Sequence, residues 1–287
     1  MSYVIMTDSC CDLKGETAAE LGLAVLPLRL ELDGKSFRNQ LDGREISFPD
    51  FYAKVRAGSC PVTSAVNVGE FEEAMEPVLA AGKDVLCLCF SSALSTTYQS
   101  AVIAAGELSE KFPERKVFVV DTLCASLGQG LLVWLCAQEQ KKGRTIEEVR
   151  AFAEETKGSI CHWFTVDDLN HLKRGGRVSA AAAFFGTMLA VKPVLHVDEQ
   201  GRLIPMEKRR GRKASLTALA DHMAQTVTDP GTVFISHGDC LADAELVAEE
   251  IRRRFQTPEV YINYIGPVIG SHAGPGTVAL FFIGKQR

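Results

Sequence analysis

Short apolar runs alternate with longer runs of helical period along the first half of the chain. Continuous apolar segments at 3–6, 84–90 and 116–120 predict strands that are buried on both faces. Segments with helical spacing follow them, including 14–21 and 127–141. Strands and helices in this alternation are typical of a doubly wound, mostly parallel sheet.

The second half continues as α/β but with more hairpins. A charged helix ends near residue 157, close to the midpoint, and we place a domain boundary there. Strands are then predicted at 159–166, 194–197, 202–207, 232–236, 260–265 and 277–283. The pattern therefore predicts an N-terminal α/β lobe over 1–157 and a smaller α/β sheet domain over 158–287.

The segment 91–100, SSALSTTYQS, is the most unusual polar stretch. It follows the apolar strand 84–90, precedes an Ala-rich helix and carries seven hydroxyl side chains. Ligands in open α/β sheets bind beyond the carboxyl ends of strands, where helix N-termini favour anions. A Ser/Thr cap at a helix start is the simpler alternative, but capping needs only one or two hydroxyls. The segment thus indicates a loop that binds a carboxylate or a phosphate.

Two more donor-rich loops and several cations are candidates for the same site. The carboxyl ends of parallel strands meet at one edge of a sheet, so the loops should lie together there. Residues in these groups are Asp8, Ser9, Thr63 and Ser64 in the first half, and Arg174, Arg177, Lys192 and His272 in the second. Together they predict a site for one acidic head group at a domain interface.

Three features of the second half can each be explained in more than one way. His272 lies in a glycine-rich loop, 266–276, which holds a ring near a ligand or merely bonds it to backbone. The turn at 174–177 binds an anion or is a solvated surface turn. The basic run 208–213, KRRGRK, docks a partner, binds nucleic acid or is simply solvated.

One helix, 180–189, has almost no polar face. Such a helix belongs to a core, or it forms a wall or gate of an apolar cavity.

Composition and missing motifs narrow the range of possible functions. The net charge of −5 does not indicate wholesale nucleic-acid binding. No signal-peptide pattern is apparent and no apolar stretch approaches 20 residues, so we expect a cytoplasmic protein. Nine cysteines without a CxxC pair suggest reduced thiols rather than a metal site. Motifs for nucleotide phosphates and for a serine nucleophile elbow are missing from the sequence.

An ordered set of motifs resembles DegV proteins, the fatty-acid-binding proteins that serve bacterial fatty acid kinase as its acyl-carrying subunit. The resemblance covers nearly the whole chain and rests on TDSCCDL, PVTSAV, SSALSTTYQSA, LKRGGRVS, the Lys192–Pro193 pair, RRGRKA and IGSHAGPG. This chain departs from the family pattern at Thr96, where Gly is usual, and at Ala65 and Val66, where the usual motif is TSQP.

The resemblance implies a two-lobed α/β protein with a fatty acid between the lobes. Its carboxylate would be held by Thr63 and Ser95, with a supporting head-group site formed by Ser64, Ser92, Thr96, Arg177 and His272. A separate ATP-dependent kinase subunit would phosphorylate the carboxylate to an acyl phosphate for phospholipid synthesis. The chain itself would then be no enzyme, with no catalytic residue, metal or cofactor beyond its bound long-chain fatty acid.

Two contacts are predicted from the basic run and from the apolar helix. We expect the kinase subunit to dock on Arg209 and Arg210, and helix 180–189 to make transient contact with a membrane surface. Two alternatives stay open: a stand-alone hydrolase or phosphotransferase that uses Ser95 or His272, and a DNA-binding regulator that uses 208–213.

Overall fold

The computed structural model describes residues 2–178, 191–256 and 259–285, and helices and strands alternate through most of them. The elements in chain order are β1 (Tyr3–Asp8), α1 (Gly15–Glu20), β2 (Ala24–Leu26), β3 (Arg29–Leu32), β4 (Lys35–Arg38), α2 (Phe48–Arg56), β5 (Val62–Ser64), α3 (Val68–Ala80), β6 (Asp84–Cys89), α4 (Thr97–Lys111), β7 (Val117–Asp121), α5 (Leu127–Lys141), α6 (Ile146–Thr156), β8 (Ile160–Thr165), α7 (Leu169–Gly175), β9 (Val191–Val197), β10 (Leu203–Arg210), α8 (Arg212–Thr226), β11 (Val227–His237), α9 (Leu241–Phe255), β12 (Val260–Tyr264), α10 (Pro267–Ala273) and β13 (Val278–Gly284).

The first sheet is parallel throughout, in the order β2-β1-β6-β7. Every residue of β6 is buried, because helices α3 to α6 all pack against this strand. A strand covered on both faces must be apolar along its whole length. The parallel sheet predicted from the continuous apolar runs is confirmed.

The second sheet is mixed and has six strands, in the order β10-β9-β8-β13-β11-β12. Only β11 and β12 run parallel, and the other neighbours are antiparallel. All six strands begin at or after Ile160. The mixed α/β fold class is therefore as predicted, whereas the domain boundary at 157/158 stays a prediction that this strand membership supports.

A small third sheet has the order β4-β3-β5. Residues 62–64 were expected in a loop, but they form β5, since Thr63 pairs with Leu30 and Ser64 with Arg29. Helix α2 covers this sheet through Phe51 and Tyr52, which are fully buried.

One further expectation was wrong. The segment 266–276 is not a loop: Pro267 occupies the first turn of α10, a position that proline favours because its missing N–H would be unpaired there anyway. Lys192 and Pro193 lie inside β9. The basic run is split between β10, which extends to Arg210, and α8, which begins at Arg212. The predicted helix 180–189 lies outside the described residues.

Helix α5 joins the two large sheets. It contacts β6 of the first sheet and β8, β11 and β13 of the second. Gly128 lies against the ring of His162 and Gly130 against the carbonyl of Cys11, and a Cβ at either position would overlap these atoms. Two glycines thus allow α5 to pack closely on both sides, which fixes the spacing of the sheets around the cavity described next.

Candidate functional site

A cavity of about 500 Å³ lies between the sheets. Most of its wall is apolar, and the side chains that form this wall include Leu28, Phe90, Phe164, Leu203, Ile269 and Phe281. All seven residues predicted for the head group also line it: Thr63, Ser64, Ser92, Ser95, Thr96, Arg177 and His272. The cavity thus combines an apolar wall with a group of polar side chains.

Thr63 and His272 are in direct contact. Thr63 is on β5 and His272 is in the last turn of α10, and Thr63 Oγ1 lies 2.8 Å from His272 Nε2. Burial, with the nearby Arg177 guanidinium, lowers the pKa of His272 to about 4. The ring is therefore neutral at pH 7.

The other ring nitrogen fixes the tautomer. His272 Nδ1 is buried against Gly175 and has no hydrogen-bond partner among the described residues. Because an unpaired buried N–H is rarer in proteins than an unpaired acceptor, we assign the proton to Nε2. Nε2–H then donates to Thr63 Oγ1, which leaves the Thr63 hydroxyl proton for an acceptor in the cavity.

Ser95 lies just before α4. Its Oγ accepts a hydrogen bond from the Thr97 N–H at 3.2 Å and lies 2.9 Å from Thr97 Oγ1. These contacts hold the hydroxyl at the cavity wall at the helix start. The Ser95 hydroxyl can donate its one hydrogen bond either to Thr97 Oγ1 or to an acceptor that enters the cavity.

The backbone of the hydroxyl-rich loop differs from expectation. The N–H groups of residues 91–95 all donate to acceptors inside the protein, among them the carboxylate of Asp121 and the hydroxyl and carbonyl of Ser91. These N–H groups are therefore not free anion donors. The loop offers side-chain hydroxyls to the cavity instead.

Thr96 adopts φ −79° and ψ 4°, which any residue tolerates. The backbone therefore does not require the glycine that the family usually has here. The side chains of Thr96, Ser64 and Arg177 are exposed, whereas Ser92 is half-buried. These three exposed residues mark the mouth of the cavity.

Arg177 is held beside the loop by backbone carbonyls. Its Nε donates to the Leu94 carbonyl at 3.4 Å, and one terminal nitrogen donates to the Gly175 carbonyl at 2.6 Å. This arrangement keeps a cation at the mouth, next to His272.

Four other residues predicted near the head group do not line the cavity. Arg174 contacts His171, and Lys192 forms an ion pair with Asp167 at 2.9 Å. Asp8 and Ser9 are fully buried and accept backbone hydrogen bonds, from Cys10 and Phe90 and from Leu28 respectively. They anchor the end of β1 rather than offering donors to a ligand.

Sequence reasoning missed a buried polar cluster on the cavity wall. Ser126 lines the cavity, its hydroxyl donates to Asp12 Oδ2 at 2.6 Å, and its Oγ lies 2.9 Å from Ser236 Oγ. Asp12 Oδ1 accepts the Gly266 N–H at 3.0 Å. Burial raises the pKa of Asp12 to about 8, and its hydrogen bonds from Ser126 and Gly266 offset this only in part. No short motif joins these residues, which lie more than a hundred positions apart.

His162 is buried on the cavity wall. Its Nδ1 lies 2.9 Å from the Ile160 carbonyl, and its Nε2 accepts the Ala125 N–H. The ring thus braces the segment that leads into α5.

The geometry does not favour a serine hydrolase. Such a site needs its serine in hydrogen-bond contact with a histidine that a third group orients. Here His272 contacts Thr63, whereas Ser95 contacts Thr97. The arrangement can hold a ligand's acceptor atoms, but it does not activate Ser95.

Arg209 and Arg210 are on β10, an edge strand of the second sheet, and are not among the residues that line the cavity. Arg209 forms an ion pair with Glu207 at 2.9 Å, and Arg210 is exposed. Their role in docking stays a prediction.

The described part of the chain lacks two features. Across residues 2–178, 191–256 and 259–285, no three side chains of the metal-binding types are grouped to hold an ion. Within the same ranges, no helix has the length and apolarity needed to cross a membrane.

The fold and the cavity define the class: an α/β protein that encloses a mostly apolar cavity with a polar mouth. The family model described as "Uncharacterised protein, DegV family" matches residues 2–285, and the chain belongs to this family.

Several DegV proteins are similar over the full length of the chain. A DegV domain-containing protein of Clostridium perfringens is 45% identical, and the match covers 99% of this chain and 98% of the relative. A DegV family protein from Thermus thermophilus, whose structure is described as showing fatty acid binding, is 32% identical with a TM-score of 0.89, over 99% and 100% of the two chains. The Bacillus subtilis DegV, described as a fatty acid binding protein, is 29% identical with a TM-score of 0.85, over 99% and 100%.

Proposed function

We propose that this protein binds a long-chain fatty acid, with the carboxylate held by Thr63 and Ser95 and the tail inside the cavity. The observation that carries the proposal is one cavity whose wall is mostly apolar and whose polar side chains include all seven predicted head-group residues. The fatty acid binding described for the relatives from Thermus thermophilus and Bacillus subtilis supports it.

The two parts of the cavity fit the two parts of such a ligand. The hydroxyl protons of Thr63 and Ser95 suit a carboxylate, and Arg177 adds a positive charge at the mouth. The apolar wall supplies most of the affinity, since each buried methylene contributes about 0.8 kcal/mol. Ten or more methylenes would contribute roughly 8 kcal/mol before the costs of binding are subtracted.

The carboxylate would be presented to a separate ATP-dependent kinase subunit, which converts it to an acyl phosphate for phospholipid synthesis. The exposed side chains of Ser64, Thr96 and Arg177 support this, because they put the head group at the surface. A carboxylate held by neutral hydroxyls stays nucleophilic, and Arg177 can stabilise the charge that the phosphoryl group adds.

The remaining parts of the proposal concern the setting. The chain acts as a lipid-carrying subunit and not as an enzyme, in the cytoplasm, with transient contact to a membrane surface when lipid is exchanged. The kinase subunit docks on Arg209 and Arg210. The lobes 1–157 and 158–287 enclose the fatty acid between them.

Native mass spectrometry of the purified protein tests the core of this proposal. We expect a stoichiometric adduct with the mass of a long-chain fatty acid, which solvent extraction releases and added fatty acid restores. A protein that takes up no fatty acid, or that hydrolyses an ester substrate at a rate abolished by Ser95→Ala, would contradict it.

A further inference from the structure

The polar cluster around Ser126 is separate from the head-group site. Ser126, Asp12 and Ser236 are all at least 95% buried, yet the first of them lines the cavity. Helix α10 sets the distance between the two sites, since Gly266 at its start bonds Asp12 while His272 in its last turn contacts Thr63. Six residues of helix span about 9 Å. The cluster and the head-group histidine therefore lie at opposite ends of α10, along one cavity.

The backbone conformation at Ser126 indicates that its hydroxyl has a functional role. Its φ of 53° and ψ of −142° lie outside the regions that L-residues favour, and glycine would adopt them more easily. The chain nevertheless has a serine here, and the side chain is on the cavity wall.

The hydrogen bonds of Ser126 leave capacity for a ligand. When its proton goes to Asp12 and it accepts from Ser236, one lone pair of Oγ remains. When Asp12 is protonated, the carboxylic acid can donate a hydrogen bond to Ser126. The Ser126 hydroxyl can then point its own O–H toward an acceptor in the cavity. The pKa of Asp12 near 8 makes this second arrangement accessible at pH 7. Ser126 can thus accept from a ligand or donate to it.

Building on the proposed function, we infer that the cavity holds a second, mid-chain polar subsite at Ser126, which takes a fatty acid bearing a hydroxyl group on its chain. An alcohol both donates and accepts hydrogen bonds, as Ser126 does. An unsubstituted chain also fits beside Ser126, because Asp12 and Ser236 then satisfy the serine. Where only apolar side chains line the cavity, a chain hydroxyl would be buried without a partner.

Competition binding with stearic acid and its monohydroxy isomers tests this inference. The hydroxyl is moved stepwise from the carboxyl end to the methyl end of the chain. We expect affinity close to that of stearic acid for a mid-chain isomer, and roughly tenfold weaker binding for isomers with the hydroxyl nearer the methyl end, where it loses its hydrogen bonds.

Two variants test whether Ser126 causes the high affinity for the mid-chain isomer. Ser126→Ala and Ser126→Gly both remove the hydroxyl, and the glycine variant also relieves the backbone. In each, the ratio of affinities for the mid-chain isomer and stearic acid should fall about tenfold. Ser109→Ala is the matched control, since the Ser109 hydroxyl bonds the Ala105 carbonyl within α4 and should not affect the ratio.

The outcomes are distinct. Stearic acid that binds without any mid-chain maximum, or a maximum that persists in Ser126→Gly, overturns this inference alone. Failure of stearic acid itself to bind overturns the proposed function as well.

Discussion

At the scale of single residues, the head-group site works through neutral donors. His272 is uncharged at pH 7 because burial lowers its pKa to about 4, and its proton on Nε2 turns the Thr63 hydroxyl toward the cavity. Ser95 gives the second hydroxyl from a different element, the segment just before α4. Each hydroxyl should therefore contribute separately to affinity.

Replacing Ser95 tests its contribution directly. Ser95→Ala should weaken fatty-acid binding by about 1–3 kcal/mol, because the carboxylate oxygen loses a donor in a partly buried site. Isothermal titration calorimetry measures the change. Ser100→Ala is the control, since Ser100 belongs to the same polar stretch but is not among the residues that line the cavity. Equal affinities for the Ser95 variant and the native protein would remove Ser95 from the site.

Asp12 predicts the pH dependence of stability. Its pKa is about 8 in the folded protein and near 4 when unfolded, so the folded state binds the extra proton between these values. The free energy of unfolding should then fall as pH rises from about 4 to 8, by on the order of a few kcal/mol. The neighbouring carboxyl of Asp8, whose pKa burial also raises, acts in the same direction.

Urea unfolding across this pH range measures the effect. Asp12→Asn should flatten the decline, since the amide neither titrates nor loses the bond from Gly266. Asp33→Asn should not, because Lys54 lowers the pKa of that exposed carboxyl. A slope that is the same in the native protein and in Asp12→Asn would show that another group dominates.

At the scale of elements, the helices and strands that could be predicted were those with a strong hydrophobic pattern. Strand β6 is a continuous apolar run, so its burial was evident from the residues alone. Strand β5 has three residues and only one hydrophobic side chain, Val62, which is exposed. It is a strand only because β3 pairs with it from 33 residues earlier, at Leu30 and Thr63, and no local signal reports such pairing.

Helix α10 was predicted to be a loop because of its glycines. In the structure, one of these glycines allows a close contact with a neighbouring helix. A Cβ at Gly270 would lie 2.6 Å from the Tyr52 hydroxyl oxygen, and that hydroxyl donates to the Ile265 carbonyl just before the helix. The glycine therefore allows α10 to pack tightly on α2. Close packing, and not loop flexibility, explains its presence.

Gly270→Ala should consequently destabilise the fold by about 1–3 kcal/mol, as an overpacked contact does. It should also weaken fatty-acid binding, because α10 carries His272. Gly106→Ala is the matched control: Gly106 is exposed in α4 with open space around it, so alanine should stabilise the protein by up to about 1 kcal/mol. Thermal unfolding of both variants compares them, and an equal or higher melting temperature for Gly270→Ala would contradict the packing argument.

At the scale of the whole molecule, the sequence located the mouth of the cavity better than its interior. The residues at the mouth lie in recognisable motifs such as PVTSAV and SSALSTTYQSA. The interior cluster of Asp12, Ser126 and Ser236 forms only when α5 brings both sheets together, through contacts between residues more than a hundred positions apart. Chemistry that arises from such assembly has no periodicity or motif to indicate it.

The largest scale is the contact with a second protein, and Arg209 and Arg210 are the residues to change. Both are outside the cavity, on edge strand β10, so reversing their charges should leave fatty-acid affinity intact. If the kinase subunit docks there, Arg209→Glu with Arg210→Glu should reduce acyl phosphate formation at least tenfold by weakening association. A coupled assay with the kinase subunit and ATP, run beside a direct fatty-acid binding assay, separates the two effects.

The control for this double variant must carry the same change in charge. Arg252→Glu with Arg253→Glu does so on α9, where the native side chains pair with Glu245 and Glu250. Because both double variants lower the net charge equally, a loss specific to Arg209 and Arg210 would identify a local docking surface. Equal losses in both would instead indicate long-range attraction by the overall charge, which added salt should abolish.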